Sequence, residues 1–499
     1  MGQKMWRDWC CALLLLLGPG RYSQGQDPKA ASNLQFTSSD KKLTEAFSWA
    51  RTQALTYAHE SGDPVGPWYE AALPERDAFC IRDVSHQTTG AAALGLYPAN
   101  KNMLQRFVSS VTPIRDWAGY WEIDKAGEAS PADYLTDEDF WYNLPANFDL
   151  LDASFRMWLW TGDSSFVTEP RFKSFFQETS TDYVSRWQLG PDEVLSRPRI
   201  MNRRLQKGKF VEARGIPSYT EGRSNFNVGT DLLAAEFRAF EDLSFLASAQ
   251  EHELQSRSYA ATARKLLNLI ETRGWSESDQ HFAGSLADDG TQKDGDGDAM
   301  VLYFGAVRNP RHLRGALSWI SRPEFRRDIG IEEESYLPQI LYHYDRAQAA
   351  YDTILNLTRS DKERRTYPEV SYAVVAAIVT GAMGVEVAYD RSSLSFEVGS
   401  LDRLADPVAE ARIAHLHVQQ NDVELEHRGQ SASSITNVSG PPLLWKAEFY
   451  GRTNVLDVEG EKRRARVTRD SAGEPVSFVV IRVLPGMHIT VKRPQALQP

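Results

Sequence analysis

The stretch Arg-Arg-Thr-Tyr-Pro-Glu-Val-Ser-Tyr, residues 364–372, leads into an apolar segment that extends to residue 383. Proline favours the first turn of a helix, so Pro368, Glu369 and Val370 predict a helix entry. A carboxylate at this position has two interpretations. Glu369 either complements the positive end of the helix dipole or serves as a catalytic base at the rim of a cavity. The choice depends on what precedes this helix.

Upstream of this stretch, apolar residues recur at helical spacing in further segments, which brings the predicted total to twelve helices. The predicted helices are residues 39–60, 84–96, 100–111, 144–160, 166–189, 227–249, 254–272, 297–307, 311–321, 337–344, 347–357 and 370–383. Long loops rich in aromatic and charged residues alternate with short ones. If successive helices alternate in direction, all long loops emerge at one end. Loops of this length usually carry function, so the sequence predicts a single functional site that the long loops line at one end of the helices.

After residue 384 the pattern changes to β-branched clusters separated by turn signals. The predicted strands are residues 385–398, 413–417, 422–427, 447–450, 455–458, 465–468, 477–484 and 487–492. These segments predict a small antiparallel, sandwich-like β domain over residues 385–499. A helical catalytic domain is predicted over residues 26–384, after a signal peptide at residues 1–25.

Charge and cysteine content narrow the class of protein. The net charge of -11 argues against a nucleic-acid partner or an anionic membrane, because either needs a basic face. Lys4 and Arg7, followed by the short apolar run of residues 11–17, predict an export signal and a secreted or periplasmic protein. Cleavage of that signal leaves Cys80 alone, so no internal disulfide is expected. The 13 Trp, 19 Tyr and 22 Phe fill large cores or line sugar pockets.

The densest polar cluster is Pro-Glu-Arg-Asp-Ala-Phe-Cys-Ile-Arg-Asp, residues 74–83. Arg76 and Asp77 form one Arg-Asp pair, and Arg82 and Asp83 form another. The guanidinium groups can fix the carboxylates and turn them towards sugar hydroxyls. The alternative is a structural ion-pair network at a helix entry. Cys80, between the pairs, is expected to be a buried and inert thiol.

Three other loops combine acids with rings. Residues 137–143 place Asp139 beside Trp141 and Tyr142, which suits a sugar because its hydroxyls need acceptors and its C–H face stacks on rings. The alternative is a solvated acidic turn. A second loop, residues 219–225, carries Tyr219, Glu221 and Arg223, with Glu221 as a candidate proton donor or an ordinary turn residue. A third predicted loop holds Glu332, Glu333, Glu334 and Tyr336.

Metal and cofactor signals are weak. The segment from Asp294 to Asp298 resembles a calcium loop, but Ala299 occupies the sixth position and no Glu stands at the twelfth, so a tight turn is favoured. His86 has no second ligand at helical spacing and is expected to lie on a helix surface or to be hydrogen-bonded. Phosphate-binding, dinucleotide and hydrolase-elbow motifs are absent from the sequence. We therefore predict neither a metal nor a cofactor.

Twelve alternating helices, long loops on one side and an attached β domain resemble the six-hairpin, (α/α)6-toroid glycosidases, which include glucoamylase, debranching α-glucosidase and α-L-rhamnosidase relatives. The resemblance covers the layout of most of residues 35–384 and implies a mainly α fold. Inverting members place the general acid after the fifth helix and the general base between the eleventh and twelfth. Those positions fall at Glu221 and Glu369. The resemblance also implies substrate-binding roles for the neighbouring loop residues, namely Arg76, Asp77, Arg82, Asp83, Asp139, Trp141, Tyr142, Tyr219, Arg223 and Tyr336.

The predicted function is that of an exo-acting, inverting glycoside hydrolase with a carbohydrate substrate. If Arg223 pairs with Glu221, the proton donor is instead Asp77 or Asp139, since a donor needs a raised pKa. One alternative is a polysaccharide lyase or sugar epimerase on the same toroid, with Tyr219, His281 or His343 as the base. Another is a non-catalytic carbohydrate-binding protein, which needs aromatic rings but no opposed acids.

Overall fold

The computed structural model describes residues 33–59, 62–73, 75–198, 214–220, 226–293, 295, 297–322, 324–325 and 329–494. Helices dominate up to residue 382, and two β-sheets occupy most of the chain after it. The predicted mainly helical region followed by a sheet-rich region is thus confirmed. The predicted signal peptide lies outside the described residues, as do Glu221 and Arg223. Within the described part, no helix is long and apolar enough to cross a membrane.

Fourteen α-helices are present in the described ranges. They are α1 (Lys41–Thr56), α2 (Ile81–Ala93), α3 (Tyr97–Ser110), α4 (Pro145–Thr161), α5 (Ser165–Thr168), α6 (Pro170–Glu178), α7 (Val184–Trp187), α8 (Thr230–Ala249), α9 (Glu253–Leu269), α10 (Gly297–Tyr303), α11 (Pro310–Ile320), α12 (Ile331–His343), α13 (Ala347–Leu357) and α14 (Pro368–Ala376). Short π-helical turns continue three of the helical runs, at Thr179–Tyr183, Ile270–Gly274 and Ala377–Ala382.

Six helices contact one another in cyclic order: α2, α4, α8, α10, α12, α14 and again α2. Other helices pack against these six, with α1 on α14, α3 on α2, α9 on α8, α11 on α10 and α13 on α12. Helix α2 shows that the inner helices are enclosed, because every residue of α2 except Arg82 is buried. A helix that is buried on all sides must be surrounded by other elements.

The six ring helices point the same way. Five of them carry an acid in the first turn, namely Asp83, Asp231, Asp298, Glu332 and Glu369. Residues near the opposite ends of these helices, including Thr89, Trp160, Tyr303, His343 and Thr380, line a separate cavity of about 320 Å³. The N-terminal ends therefore share one end of the ring, where the aligned helix dipoles favour negative charge.

Ring helices α2 and α14 approach closely at a glycine. A Cβ atom at Gly90 would lie 2.1 Å from the carbonyl oxygen of Tyr372. No side chain fits at that separation, so the contact between the first and last ring helices requires glycine at position 90.

Twelve of the described strands form two larger sheets. The seven-stranded sheet has the order β1 (Gln35–Ser38), β17 (Glu410–Val418), β18 (Asn421–Arg428), β19 (Ala432–Ser439), β25 (His488–Lys492), β21 (Val455–Val458) and β22 (Glu461–Arg464). The five-stranded sheet has the order β15 (Glu386–Asp390), β16 (Ser395–Leu401), β20 (Leu443–Tyr450), β24 (Pro475–Val483) and β23 (Arg466–Arg469). Alternate residues of β18 and β20 are buried, as expected for sheets with one face on a core.

Shorter strands occur in the loops between helices. They are β2 (Ala58–His59), β3 (Trp68–Tyr69), β4 (Ala78–Cys80), β5 (Glu122–Asp124), β6 (Tyr134–Thr136), β7 (Asp139–Phe140), β8 (Tyr142–Asn143), β9 (Arg214–Ile216), β10 (Val228–Gly229), β11 (Trp275–Ser276), β12 (His281–Phe282), β13 (Ser285–Leu286) and β14 (Gln292–Lys293). These small pairings give the long loops internal structure. One of them, β4 with β5, fixes the segment that leads into α2.

Several sequence predictions were wrong in detail. Residues 332–336, predicted as a loop, lie in α12, which begins at Ile331 and contains Pro338 in its interior. The single strand predicted over residues 385–398 is a hairpin of β15 and β16. The helix predicted over residues 166–189 is broken before α6, where Pro170 begins a new helix. Strand β1 precedes α1 and pairs with β17, so residues before the first helix contribute to the C-terminal sheet.

Candidate active site

A cavity of about 370 Å³ lies at the N-terminal end of the ring. Charged and indole side chains dominate its wall. The lining residues are Ala72, Leu73, Arg76, Cys80, Arg82, Asp83, Trp121, Glu122, Asp133, Trp141, Glu332, Arg364 and Tyr367. Acids and guanidinium groups beside indole rings are the combination that binds a polyhydroxylated ring.

Arg82 connects three sides of this cavity. Because α2 begins at Ile81, Arg82 and Asp83 both lie in its first turn. Arg82 Nη2 donates to Glu332 Oε2 at 2.7 Å, and Arg82 Nε lies 3.4 Å from Asp83 Oδ1. The guanidinium also lies over the ring of Tyr219, 4.9 Å from its centre. One side chain thus fixes the relative positions of α2, α12 and the loop that carries Tyr219.

Glu369 lies behind this wall, in the first turn of α14, and is only 1% exposed. Tyr336 donates its hydroxyl proton to Glu369 Oε1 at 2.7 Å, whereas Oε2 has no hydrogen-bond partner among the described residues. Burial raises the pKa of Glu369 well above its usual range, the charge of Asp83 raises it further, and Arg82 opposes both. Glu369 is therefore far from a solvated first-turn acid.

Asp83 is the nearby charge that adds most to the raised pKa of Glu369. Burial raises the pKa of Asp83 to about 7 against the opposing charge of Arg82, and the charge of Glu332 raises it further. Neighbouring carboxyl groups resist simultaneous ionisation, so the first proton leaves more readily than the second. With a pKa of about 7, Asp83 can hold or release a proton near neutral pH, which is the condition that acid–base chemistry requires.

The Asp83→Asn variant is expected to gain more stability at pH 8 than at pH 5, by about 2 kcal/mol. A carboxyl whose pKa is about 7 in the folded state and ordinary in the unfolded state keeps its proton only when folded. The folded protein then binds more protons between about pH 4 and pH 7, so the free energy of unfolding falls as pH rises through that window. Asparagine removes this dependence. Urea unfolding of both proteins at the two pH values measures it, and an equal gain at pH 5 and pH 8 would contradict the assignment.

The outer part of the cavity is held by a second arginine. Arg76 Nη1 lies 2.9 Å from Glu122 Oε2 and 3.2 Å from Asp133 Oδ2. The backbone beside it is unusual, since Glu75 and Asp77 both have positive φ. Arg364, across the cavity, also has positive φ. Left-handed conformations of ordinary residues cost energy and concentrate at functional sites, so their position at this cavity supports a functional role for it.

A buried polar network lies next to Glu369. His86 Nε2 lies 2.9 Å from Asp149 Oδ2, and the Tyr219 hydroxyl donates to the same carboxylate oxygen. The His86 ring packs against Tyr303 and Tyr336. His86 is thus a hydrogen-bonded, buried histidine, one of the two environments expected from the sequence. Because Tyr336 also donates to Glu369, the network extends to the carboxyl group behind the cavity wall.

The structure brings together most, but not all, of the residues predicted for the site. Arg76, Arg82, Asp83 and Trp141 line the cavity. Glu369, Tyr336 and Tyr219 lie directly behind it. Arg82 lies over the Tyr219 ring, Tyr336 donates to Glu369, and, against the effect of burial, the charges of Tyr336 and Glu369 raise the pKa of Arg82.

Three predicted residues lie elsewhere. Asp77 is exposed and forms an ion pair with Lys125 at 2.5 Å. Tyr142 is fully buried, and its hydroxyl donates to Asn147. Asp139 is half-buried in β7 and is not part of the cavity wall. Of the other base candidates, His281 pairs with Asp298, and His343 lines the cavity at the opposite end of the ring. Sugar contact by Asp77, Asp139 and Tyr142 stays a prediction.

Sequence reasoning missed part of the wall. Glu332, Arg364 and Tyr367 line the cavity, although the first was assigned to a loop and the other two to a helix entry without a role. Trp121 and Glu122 are adjacent in a loop that was recognised as aromatic and acidic. An indole next to a carboxylate at the start of β5 is the sequence signal for this part of the wall.

No known family model matches the chain, and no curated protein matches it in sequence. Solved structures do match. An α-L-rhamnosidase from Dictyoglumus thermophilum is 14% identical with a TM-score of 0.57, and covers 92% of this chain and 50% of its own. A GH78 family rhamnosidase of Bacillus sp. GL1 is 14% identical with a TM-score of 0.54, over 82% of this chain and 41% of its own.

A putative kojibiose phosphorylase from human microbiome is 10% identical with a TM-score of 0.52, over 91% of this chain and 61% of its own. The chain thus spans between 41% and 61% of the length of these three proteins. At such low identity the likeness establishes the fold alone. The predicted likeness to the glycosidase superfamily is confirmed at that level.

Proposed function

We propose that this protein is a glycoside hydrolase that removes terminal sugars by an inverting, two-carboxylate mechanism. The observation that carries the proposal is the grouping of three carboxyls from three different ring helices. Asp83 and Glu332 line one cavity together with two indole rings, and Glu369 lies directly behind its wall, close enough for Asp83 to raise its pKa. The cyclic contact order of the six ring helices supports an (α/α)6 toroid with this cavity at its mouth. The named activities of the solved neighbours are consistent with a sugar substrate.

Glu369 is proposed as the general base, which removes a proton from the attacking water. A base must be ionised, and Arg82 is the nearby charge that favours the carboxylate form. Tyr336 holds one carboxylate oxygen, which leaves Oε2 to accept the proton. Inversion requires the acid to lie about 6.5–9.5 Å from the base. Glu221 keeps that predicted role, although it lies outside the described residues.

Two further features support binding of the terminal sugar of a carbohydrate chain. Trp121 and Trp141 offer indole surfaces on one side of the cavity, and Arg82 with Glu332 offers a donor and an acceptor on another. A volume of about 370 Å³ lies at the small end of the range for ligand pockets. A small pocket at the end of a helical ring favours an exo-acting enzyme, because it accepts the end of a chain instead of its middle.

Hydrolysis of a panel of aryl glycosides, with proton NMR of the first product anomer, tests this function. We expect hydrolysis of one class of glycoside and release of the inverted anomer. Retention of configuration would contradict the inverting mechanism, because Glu369 or another carboxylate would then act as a nucleophile instead of activating water. An unsaturated product would identify a lyase, and a sugar phosphate formed only in phosphate buffer would identify a phosphorylase. Binding without turnover of any substrate would favour the non-catalytic alternative.

A further inference from the structure

A run of basic residues marks one edge of the C-terminal region. The nine residues from Glu461 to Arg469 contain five cations and one acid. The cations are Lys462, Arg463, Arg464, Arg466 and Arg469, and we call this segment the basic rim. Its local charge of +4 stands against a chain that carries -11 overall, so the rest of the protein is strongly acidic.

The topology explains why the basic rim faces solvent. Strand β22 is the last strand of the seven-stranded sheet, and β23 is the last strand of the five-stranded sheet. The chain passes from one sheet to the other at Ala465. All eight residues of the two strands are exposed, whereas inner strands such as β18 bury every other residue. The rim therefore presents side chains from both faces of an extended backbone.

Little of this charge is neutralised within the protein. Arg463 lies 3.7 Å from Glu461, the one ion pair of the rim in the part of the chain that the structure describes. Arg466 lies over the ring of Phe478, 4.7 Å from its centre, and Arg469 donates to the carbonyl oxygen of Gly473. Neither contact cancels the charge. The rim is thus a concentrated positive surface available to an anion.

Protection of a sheet edge explains some of this charge, since single lysines or arginines discourage pairing with another chain. Five cations in nine residues exceed that need and repel one another, which destabilises the folded state in the absence of a counterion. An external polyanion removes this repulsion. The high density of cations in the basic rim therefore indicates that it binds an anionic ligand in addition to protecting the sheet edge.

We propose that the basic rim binds an acidic polysaccharide. An extended segment of nine residues spans roughly 26 Å, and alternate side chains lie roughly 6.6 Å apart, which suits a linear polymer with regularly spaced carboxylates. Arginine forks pair with carboxylates in a bidentate manner. The rim has no aromatic residue on which nucleic-acid bases would stack, and Val467 is its one large apolar residue, too little for membrane insertion.

The choice of a polysaccharide over other polyanions rests on the proposed function, whereas binding of a polyanion does not. A rim that holds an acidic polymer would keep the enzyme on a surface that carries its substrate. The small cavity would then act on neighbouring chain ends. The two events use different parts of the molecule, so they are separable by experiment.

Titration of the full chain with polygalacturonate, with neutral dextran as the reference polymer, tests the proposal. We expect binding to polygalacturonate at 50 mM salt that weakens at least tenfold at 200 mM salt, and no binding to dextran. A quadruple variant, K462Q/R463Q/R464Q/R466Q, is expected to bind at least tenfold more weakly than the natural protein. Its hydrolysis of small aryl glycosides should be unchanged.

A matched control removes four exposed cations from helices α6 and α9, as R171Q/K173Q/R257Q/R264Q. Equal loss of affinity in both quadruple variants would overturn the proposal, because the attraction would then follow net charge alone. Absence of binding by the natural protein at 50 mM salt would overturn it as well. Tighter binding to duplex DNA or to anionic vesicles than to polygalacturonate would reject the polysaccharide. Failure of every glycoside to react would reject the proposed hydrolase and leave the binding result intact.

Discussion

Replacing Glu369 by glutamine is expected to lower kcat by a factor of about 10²–10⁴ and to leave sugar binding within a few-fold of the natural protein. Glutamine fills the same space and still accepts a hydrogen bond from Tyr336, which lies 2.7 Å from Glu369 Oε1. It cannot take a proton from water. Steady-state kinetics on the best aryl glycoside, together with a binding titration, separate these two effects.

The pH dependence of kcat/KM identifies the role of Glu369. Because burial and Asp83 raise its pKa, a base at this position becomes active only as pH rises through that elevated value. The value of kcat/KM should therefore increase with pH in this range, and this increase should be absent from the Glu369→Gln variant. If kcat/KM instead falls as pH rises through the same range, Glu369 is the proton donor. Recovery of the variant on substrates with a very acidic leaving group would indicate the same reversal.

Glu334→Gln is the matched control. Glu334 is buried in the first turn of α12, as Glu369 is in the first turn of α14, and neither carboxyl lines the cavity. Their partners differ, because Glu334 pairs with Lys362 at 2.5 Å whereas Glu369 accepts a hydrogen bond from Tyr336. Loss of that ion pair is expected to reduce stability without reducing kcat. An equal loss of turnover in both variants would show that the effect of Glu369→Gln is structural.

Gly90→Ala is expected to cost about 3 kcal/mol of stability, the upper part of the range for overpacked cores, and to lower kcat as well. The added Cβ would lie 2.1 Å from the Tyr372 carbonyl oxygen and 2.8 Å from its carbon. Backbone atoms cannot rotate away as a side chain can, so α2 and α14 must separate. The gain in helix propensity from alanine, about 1 kcal/mol, is smaller than this cost. Urea unfolding followed by circular dichroism measures the difference.

The effect of Gly90→Ala on kcat follows from the short distance along α14 between Tyr372 and Glu369. Tyr372 is three residues after Glu369 in the same helix, so a displacement of α14 moves the proposed base relative to Asp83 on α2. Gly190→Ala provides the comparison, because no atom lies within 4 Å of its added Cβ, and its stability should differ little from that of the natural protein. Equal stability of Gly90→Ala and the natural protein would show that the two helices tolerate a wider separation.

Sequence periodicity predicted most of the helices because amphipathic spacing is a local property. Residues 347–357 were predicted with the observed bounds of α13, and the entry of α14 at Pro368 was recognised from proline chemistry. The first turn of α12 was missed because three consecutive glutamates look like a solvated loop and Pro338 looks like a break. In the structure those acids occupy the positive end of the helix dipole.

The site was harder to predict because its members are distant in sequence. Glu369 and the Arg82–Asp83 pair were recognised from position and composition. The Arg82–Glu332 contact joins residues 250 positions apart, and no local pattern encodes it. Likewise, Asp77 forms an ion pair with Lys125 and does not line the cavity. Its backbone has a positive φ, which an ordinary residue seldom adopts and which the sequence does not reveal. Tertiary contacts, not propensity, decide such positions.

The pairing of β1 with β17 limits how early the newly synthesised chain can complete its fold. Gln35 pairs with Ala414, which is synthesised 379 positions later. At ordinary ribosomal speeds of about 5–20 residues per second, the first strand waits roughly 20–75 s for its partner. Contacts between α2 and α14 are delayed in a similar way. Assembly of this protein is therefore expected to finish only after most of the chain is made, and to be slow, as for other topologies with distant pairings.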